Sequence, residues 1–320
     1  MKVLVTGASG FLGSHIADQL AADGHAVRLL LRRTSSRQFL DFPYDEALGD
    51  ITDPASLPAA VDGVDAIVHA AGLIKARTEA EFASVNATGT ANLVAAVESS
   101  APNLRRFVYI SSLAARGPGG AASESGPITA YGRTKLAGEG IVRSSGLATR
   151  AVRFQMPVIY GPRDPALVPF FQGTRLRVAP LLNGGRNRIS IVYATDAAAA
   201  VGSAVEAASD IGGRVYSPED GEPHTWRDLL GAIETAVGHN VFALPAPAIT
   251  YQAAALISAA YGRLTNRAVI FTPDKMREMS QSEWVCSSAD LERDLGWRAR
   301  VGIAEGARLT CDWYRSHGWF

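Results

Sequence analysis

Apolar runs of strand length alternate with stretches of helical periodicity through the first half of the chain. Lys2–Thr6, Ala26–Leu31, Ala66–Ala70 and Phe107–Ser111 are short and almost uninterrupted, the pattern of strands buried on both faces. Between them, Phe11–Ala22, Ala55–Val61, Thr88–Ser99 and Tyr131–Ser144 carry apolar residues at helical spacing. This alternation predicts an α/β fold, a doubly wound parallel sheet with ligands at the carboxyl ends of its strands. A further strand over Ala151–Val158 leads into Tyr160-Gly161-Pro162, after which the pattern loosens into Pro- and Arg-rich loops up to Arg188. Ile189–Val192, Thr195–Ala207 and Val215–Ser217 are predicted to return to the sheet, whereas Thr225–Val237 and Ala248–Leu264 read as helices of a smaller lobe. The expected division is a sheet domain over 1–162, rejoined by 189–217, and a lobe made mainly of 163–188 and 218–320.

Composition narrows the function classes. With 31 basic and 31 acidic residues the formal net charge is zero, so no basic field attracts nucleic acid or anionic lipid, and neither partner is expected. Cys286 and Cys311 belong to no CxxC or zinc-spaced cluster, so no metal is expected and a reducing, cytoplasmic location fits. Val241–Gly262 lacks charged side chains and approaches the ~20 residues that span a bilayer. Pro245, Pro247, Thr250, Gln252 and Ser258 argue against a span.

Thr6-Gly7-Ala8-Ser9-Gly10-Phe11-Leu12-Gly13 follows a predicted strand and opens a predicted helix, the context that makes a glycine-rich turn informative. Gly7 permits the turn, Gly10 lets backbone approach a pyrophosphate, and Gly13 allows close packing of helix on strand. The helix N-terminus then offers N–H groups and partial positive charge to the phosphates. After the second strand, where a carboxylate for the ribose hydroxyls is usual in NAD-binding proteins, stand Arg32 and Arg33. Guanidinium groups suit a 2′-phosphate, so NADP(H) is expected over NAD(H), with no acid competing nearby. The plain alternative is two solvated surface charges. Asp50 and Ile51, then Ala70, Ala71 and Gly72, fall at the ends of the next two strands, where Asp50 has the chemistry to accept from an adenine amino group.

Tyr131 and Lys135 are four apart on one predicted helix, with Ser111-Ser112 ending the preceding strand. Reduction of a carbonyl by hydride leaves an oxyanion that needs a proton, and a phenol with a pKa of about 10 needs help to supply it near neutrality. Lys135, together with an oxidised nicotinamide, is expected to lower the Tyr131 pKa, and Ser112 to hydrogen-bond the substrate oxygen.

These motifs resemble the extended branch of the short-chain dehydrogenase/reductase family. The resemblance covers nearly the whole chain, through TGxxGxxG, Asp50, Ala70-Ala71-Gly72, Asn86-Ala87-Thr88-Gly89-Thr90-Ala91-Asn92, Ser111-Ser112, YxxxK, Tyr160-Gly161-Pro162 and Trp284…Leu295-Gly296-Trp297. It implies a Rossmann sheet, a catalytic set of Ser112, Tyr131 and Lys135, Asn86 on the helix lining the cofactor site, and Pro157 and Val158 bordering the nicotinamide. It also implies a homodimer through the Thr88–Ser99 and Tyr131–Ser144 helices. Read alone, Asn86 is equally a helix-surface amide.

Nucleotide-sugar members of the family resemble one another in an Asn two residues before Tyr-Gly-Pro, where this chain has Val158. That departure, the arginines and the uncharged 241–262 segment favour an NADP(H)-dependent ketone reductase acting on a mid-sized, largely apolar small molecule. A nucleotide-sugar epimerase or dehydratase is the alternative, and a non-catalytic NADP redox sensor a further one. Arg175, Arg177, Arg186 and Arg188 read as loop charges or as a diphosphate site. Ile249, Leu256, Ile257 and Tyr261 read first as the core stripe of a small-lobe helix, with a pocket lid or a dimer or membrane contact as alternatives. Asp196 is expected to cap the helix that follows it, and His69 to be a packed residue.

Overall fold

Alternate residues of each central strand enter opposite cores. Val3, Val5, Val27, Leu29, Val68, Val108 and Phe154 pack on one face, while Leu4, Leu30, Ile67, Phe107 and Tyr109 pack on the other. This two-residue period produces a sheet buried on both sides, each fully buried aliphatic side chain contributing roughly 1.5–3 kcal/mol. In chain order the strands are β1 (Lys2–Thr6), β2 (Ala26–Leu31), β3 (Asp45–Leu48), β4 (Ala66–His69), β5 (Arg106–Ser112), β6 (Ala151–Met156), β7 (Val158–Tyr160), β8 (Val178–Leu182), β9 (Arg188–Ile189), β10 (Ile191–Tyr193), β11 (Val215–Tyr216), β12 (His224–Thr225), β13 (Phe242–Ala246) and β14 (Glu283–Trp284). The main sheet has seven parallel strands in the order β11-β6-β5-β4-β1-β2-β3. The winding direction reverses between β1 and β4, and the crevice beyond their carboxyl ends is where an open α/β sheet receives a ligand. The computed structural model describes residues 1–175, 177–246, 248–269 and 271–320. Pro247, cited above against a membrane span, lies outside them.

The helices are α1 (Phe11–Ala22), α2 (Leu57–Val61), α3 (Glu79–Ala83), α4 (Thr90–Ser100), α5 (Leu113–Arg116), α6 (Ala130–Ser144), α7 (Val168–Arg175), α8 (Ala194–Glu206), α9 (Trp226–Val237), α10 (Ala248–Thr265), α11 (Pro273–Met279), α12 (Ala289–Leu295) and α13 (Ile303–Ser316). Residues of α1, α8 and α12 cover one face of the sheet, and residues of α2, α4 and α6 the other. A third core gathers Tyr160, Phe171, Tyr193, Ile233 and Tyr314, tying α7, α9 and α13 to β7 and β10.

Three features depart from the sequence reading. β3, expected only as a strand ending at Gly49-Asp50, has no apolar run to mark its bounds, because it is an edge strand whose Asp45 is held by Arg28 at 2.8 Å and Lys2 at 3.0 Å. Asp196 does not cap its helix. It is buried in the first turn of α8, and its Oδ2 accepts from the backbone N–H groups of Arg300 (2.9 Å) and Val301 (2.8 Å), fastening the C-terminal segment to the sheet domain. The core-stripe reading of α10 is overturned. Ile249, Leu256, Ile257 and Tyr261 are all more than half exposed, because Ala255 and the half-buried Tyr251 form the inward face, against Met276 and Phe271. Among the described residues no helix is long and apolar enough to cross a membrane.

Candidate active site

The crevice begins where β1 ends. Thr6 lies in register with His69 of β4, so the Gly7 turn meets the strand end at Ala70 and Ala71. Gly7 has φ +77°, and a Cβ on it would stand 2.6–2.8 Å from backbone atoms of Ala70 and Ala71. A Cβ on Gly13 would stand 2.1 Å from the Gly7 carbonyl oxygen, which is why α1 can pack this closely on the turn. Gly10 is the exposed N-cap of α1, with no side chain capping the helix and no acidic residue in its first turn. Ser9, Phe11 and Leu12 flank it, half-buried. A Cβ-free cradle ending in an uncapped helix N-terminus fits the pyrophosphate of a dinucleotide.

Beyond β2, Arg32 and Arg33 are exposed. The expectation that no acid stands near Arg32 is corrected here. β3 carries the chain back alongside β2, and Asp50 Oδ2 lies 3.8 Å from the Arg32 guanidinium. Both groups are solvated, so the pair is worth only about 0–1 kcal/mol and leaves the guanidinium available. Asp50 Oδ1 accepts from the Thr52 N–H (2.9 Å) and hydroxyl (2.8 Å). Ile51 is buried, its side chain where a Cβ on Gly89 would fall, and its carbonyl accepts from Asn92 at 2.9 Å.

The second half of the site hangs on β5 and α6. Ser112 ends β5 in register with Met156, so Pro157 and Val158, both half-buried, come next beside it, where β6 gives way to β7. Ser112 Oγ accepts from the Ala114 N–H at 3.2 Å, capping α5 and leaving the hydroxyl proton to donate. Tyr131 is in the first turn of α6, its ring 6.0 Å from that of Phe82. Burial pushes its pKa up to about 12, opposed by a hydrogen bond with Ser112 and reinforced by the negative charge of Glu278. Lys135, one turn on, is buried; its Nζ donates to the Ile110 carbonyl at 2.6 Å and lies 4.6 Å from the centre of the Tyr109 ring. Burial lowers its pKa to about 8, against the attraction of Glu139. The groups that shift the phenol in the protein are Ser112 and Glu278.

Asn86 is a buried residue, not a surface amide. It lies in a π-helical turn, Ser84–Gly89, which widens the helix entry. Its Oδ1 accepts from the Leu73 N–H (2.8 Å), and its Nδ2 donates to the Leu73 carbonyl (3.1 Å) and Thr134 Oγ1 (3.2 Å). A Cβ on Gly72 would lie 3.1 Å from Asn86 Oδ1 and 3.7 Å from Lys135 Nζ, so Gly72, Asn86 and Lys135 converge at one point. Ser111, by contrast, spends its hydroxyl on Glu139 Oε1 at 2.5 Å, and the same carboxylate accepts from Gln155 at 3.1 and 3.2 Å. Glu139, Thr134 and Gly138 escaped sequence reasoning. A Cβ on Gly138 would meet the Tyr109 hydroxyl at 2.1 Å and the Asn86 carbonyl at 2.7 Å, so this glycine sets how close α6 comes to the crevice.

His69 organises the floor. Its Nδ1 is 2.7 Å from Thr6 Oγ1 and its Nε2 3.0 Å from Thr90 Oγ1. Thr90 donates to the Asn86 carbonyl at 2.9 Å, and Thr6 accepts from the Ala71 N–H at 3.2 Å. Because Thr90 spends its proton on the Asn86 carbonyl, the neutral tautomer that fits carries its hydrogen on Nε2 and accepts at Nδ1. Burial, together with the Lys135 charge, keeps that imidazole neutral and drops the His69 pKa to about 3. An unfolded histidine, at 6.5, takes up its proton first, so this contribution to stability is complete above pH 6.5 and drains away as pH falls toward 3. We expect denaturant titrations to show about 2 kcal/mol lost between pH 7 and 5 in this way, and His69→Gln to lose much less over that interval. Equal losses in both proteins would count against the relay.

Two of the arginines considered for a diphosphate have partners within the protein. Arg188 pairs with Glu283 at 2.8 Å, Arg175 lies over the Phe320 ring at 5.0 Å, and Arg177 and Arg186 are exposed.

This site on this sheet belongs to a family recognised from sequence. Residues 3–217 match the model of the NAD dependent epimerase/dehydratase family, and the chain belongs to that family. It is 34% identical over 321 residues to a ceramide reductase of Caulobacter vibrioides, covering 99% of this chain and 95% of the relative. It is 30% identical to a 2-alkyl-3-oxoalkanoate reductase of Stenotrophomonas maltophilia, covering 96% and 98%. Among solved structures, gox2253 superposes with a TM-score of 0.80 at 26% identity, covering 99% of both chains. The UDP-glucose 4-epimerase of Thermus thermophilus, in complex with NAD, superposes with a TM-score of 0.74 at 26% identity, covering 98% and 99%. The protein is a nicotinamide-dependent oxidoreductase.

Proposed function

We propose that the protein reduces a ketone on a mid-sized, largely apolar substrate with NADPH, Tyr131 serving as the proton donor. The observation that carries this reading is the meeting, near the end of β5, of Ser112, the Tyr131 phenol in the first turn of α6 and, one turn further along that helix, the buried Lys135. The names of the similar curated proteins favour an apolar substrate: a ceramide, a 2-alkyl-3-oxoalkanoate, and a farnesyl dihydroquinoline oxide handled by a ketoreductase.

The bound nicotinamide supplies the hydride. The chain's own groups handle the oxygen. Ser112, its rotor fixed by the Ala114 N–H, donates to the carbonyl oxygen and aims it at Tyr131, which releases its proton as negative charge develops there. Lys135, held by the Ile110 carbonyl, keeps a cation within the site to offset the phenolate left behind. In the oxidative direction the same groups act in reverse, the phenolate accepting the alcohol proton.

The structural likeness to a UDP-glucose 4-epimerase sustains a second reading, in which the cofactor stays bound and no nicotinamide is consumed. Val158 and the engagement of Arg188 with Glu283 count against it. The test is nicotinamide absorbance with NADPH or NADH against long-chain 3-oxo substrates and against UDP-sugars. Oxidation of NADPH by the ketones supports the first reading, and conversion of a UDP-sugar without oxidation supports the second.

Arg32 and Arg33 serve the 2′-phosphate in this proposal. Arg32→Ala is expected to lower kcat/KM for NADPH about 10- to 100-fold, the loss of one charge-assisted contact of about 1.5–3 kcal/mol, and to change that for NADH less than about threefold. Equal losses with both cofactors would remove Arg32 from the phosphate site.

A further inference from the structure

We propose that α10 lies flat on an anionic phospholipid bilayer, holding the helices beside Tyr131 against the membrane surface. The inference rests on the proposed apolar substrate for its purpose but not for its observations. At 100° per residue, Ile249, Ala253, Leu256, Ile257, Ala260 and Leu264 fall within about 100° of one helix face. That face is the outward one. Ile249, Leu256, Ile257, Tyr261 and Leu264 are 53–88% exposed, whereas Ala255, on the opposite side, is completely buried. An amphipathic helix normally turns its apolar stripe inward; α10 is anchored by its smaller side and offers the larger one to its surroundings.

Charge indicates what covers it. From Val241 to Gly262 the chain carries no charged side chain, and the next residue is Arg263, followed by Arg267. Arg77 hydrogen-bonds Asn266 just past the end of α10, which brings the loop bearing Ile74, 68% exposed, and Lys75 to that same end. Lys75, Arg263 and Arg267 have no ion-pair partner among the described residues. An apolar stripe bordered by unpaired cations complements a bilayer with anionic headgroups, the acyl region taking the stripe and the headgroups the cations. The protein's net charge of zero is no obstacle, since the cations act locally.

The placement serves the site. α10 packs through Ala255 and Tyr251 on Met276 and Phe271, and Met276 belongs to α11. From α11, Asp274 accepts the Ala130 N–H at 3.0 Å at the start of the helix bearing Tyr131, and Glu278 acts on the Tyr131 phenol. Only one helix layer separates the exposed stripe from the proton donor.

The test uses the full chain in flotation assays with vesicles of phosphatidylcholine alone and of phosphatidylcholine with phosphatidylglycerol, with no turnover required. The wild type should float with the anionic vesicles and less with the neutral ones. Leu256→Asp/Ile257→Asp should weaken that binding about tenfold or more, and Arg263→Gln/Arg267→Gln severalfold. Thermal melting and NADPH binding of the variants report intact folding. Reduction of a water-soluble ketone separately tests the proposed function, so either idea can fail alone. Wild-type protein that floats with neither vesicle overturns the proposal. So does a Leu256→Asp/Ile257→Asp variant that binds vesicles unchanged while a dimer becomes a monomer, which would assign the face to a second copy.

Discussion

Tyr131→Phe is expected to lower kcat for ketone reduction by about 10²–10⁴-fold, the range for a positioned general acid, while leaving NADPH binding within about twofold. The substitution deletes one oxygen and keeps the ring, so the 6.0 Å contact with Phe82 and the packing of α6 survive. What disappears is the proton that burial holds on the phenol up to about pH 12. Because the group is protonated throughout the neutral range, it imposes no break on the reductive pH profile below that value. Lys135 does: its ammonium is lost as pH rises through about 8, and reduction should decline there. Single-turnover kinetics over a pH series would check both points. A Tyr131→Phe enzyme retaining more than about a tenth of wild-type kcat would show that another group donates the proton.

Lys135→Met should all but abolish activity and yet make the fold more stable. A lysine in the unfolded chain holds its proton to about 10.5, whereas in the folded protein burial releases it at about 8. Below pH 8, then, the folded state bears the cost of keeping a cation out of water, about 3 kcal/mol before contacts are counted. The Ile110 carbonyl and the Tyr109 ring compensate part of it. A methionine of similar length fills the same space without charge, and a net gain of about 1–3 kcal/mol in unfolding free energy near pH 7 follows. The wild type should gain stability between pH 8 and 10.5 as the folded lysine discharges, and the variant should not. Denaturant unfolding of both proteins across that range measures the difference. A destabilised variant would mean that the ammonium is better solvated than its burial indicates.

The central strands and the helices between them were legible because burial on both faces imposes long apolar runs and helical spacing, and these depend only on neighbours in sequence. The glycine turn and the Tyr131/Lys135 pair were legible for the same reason: each is set within eight residues of chain. What escaped was chemistry assembled across the fold. The β3 strand carries Asp45 and Glu46 because it is an edge, so its pattern mimics a loop. Its presence moved Asp50 next to Arg32. Asp196, read as a helix cap, spends one carboxylate oxygen on two residues more than a hundred positions away. Glu139 looks like a surface residue of α6 until Ser111, Gln155 and Arg153 surround it. The stripe on α10 has the periodicity of a core helix, and periodicity states that one face is apolar without stating which way it turns.

The proposed reduction is tested most directly by following deuterium from NADPH labelled at the transferable position of the nicotinamide into a long-chain 3-oxo substrate. One deuterium on the new carbinol carbon for each NADPH oxidised, with Tyr131→Phe forming no product on the same timescale, is the expected result. Oxidised cofactor that stays bound, unlabelled product, and interconversion of a UDP-sugar without net loss of NADPH would contradict it.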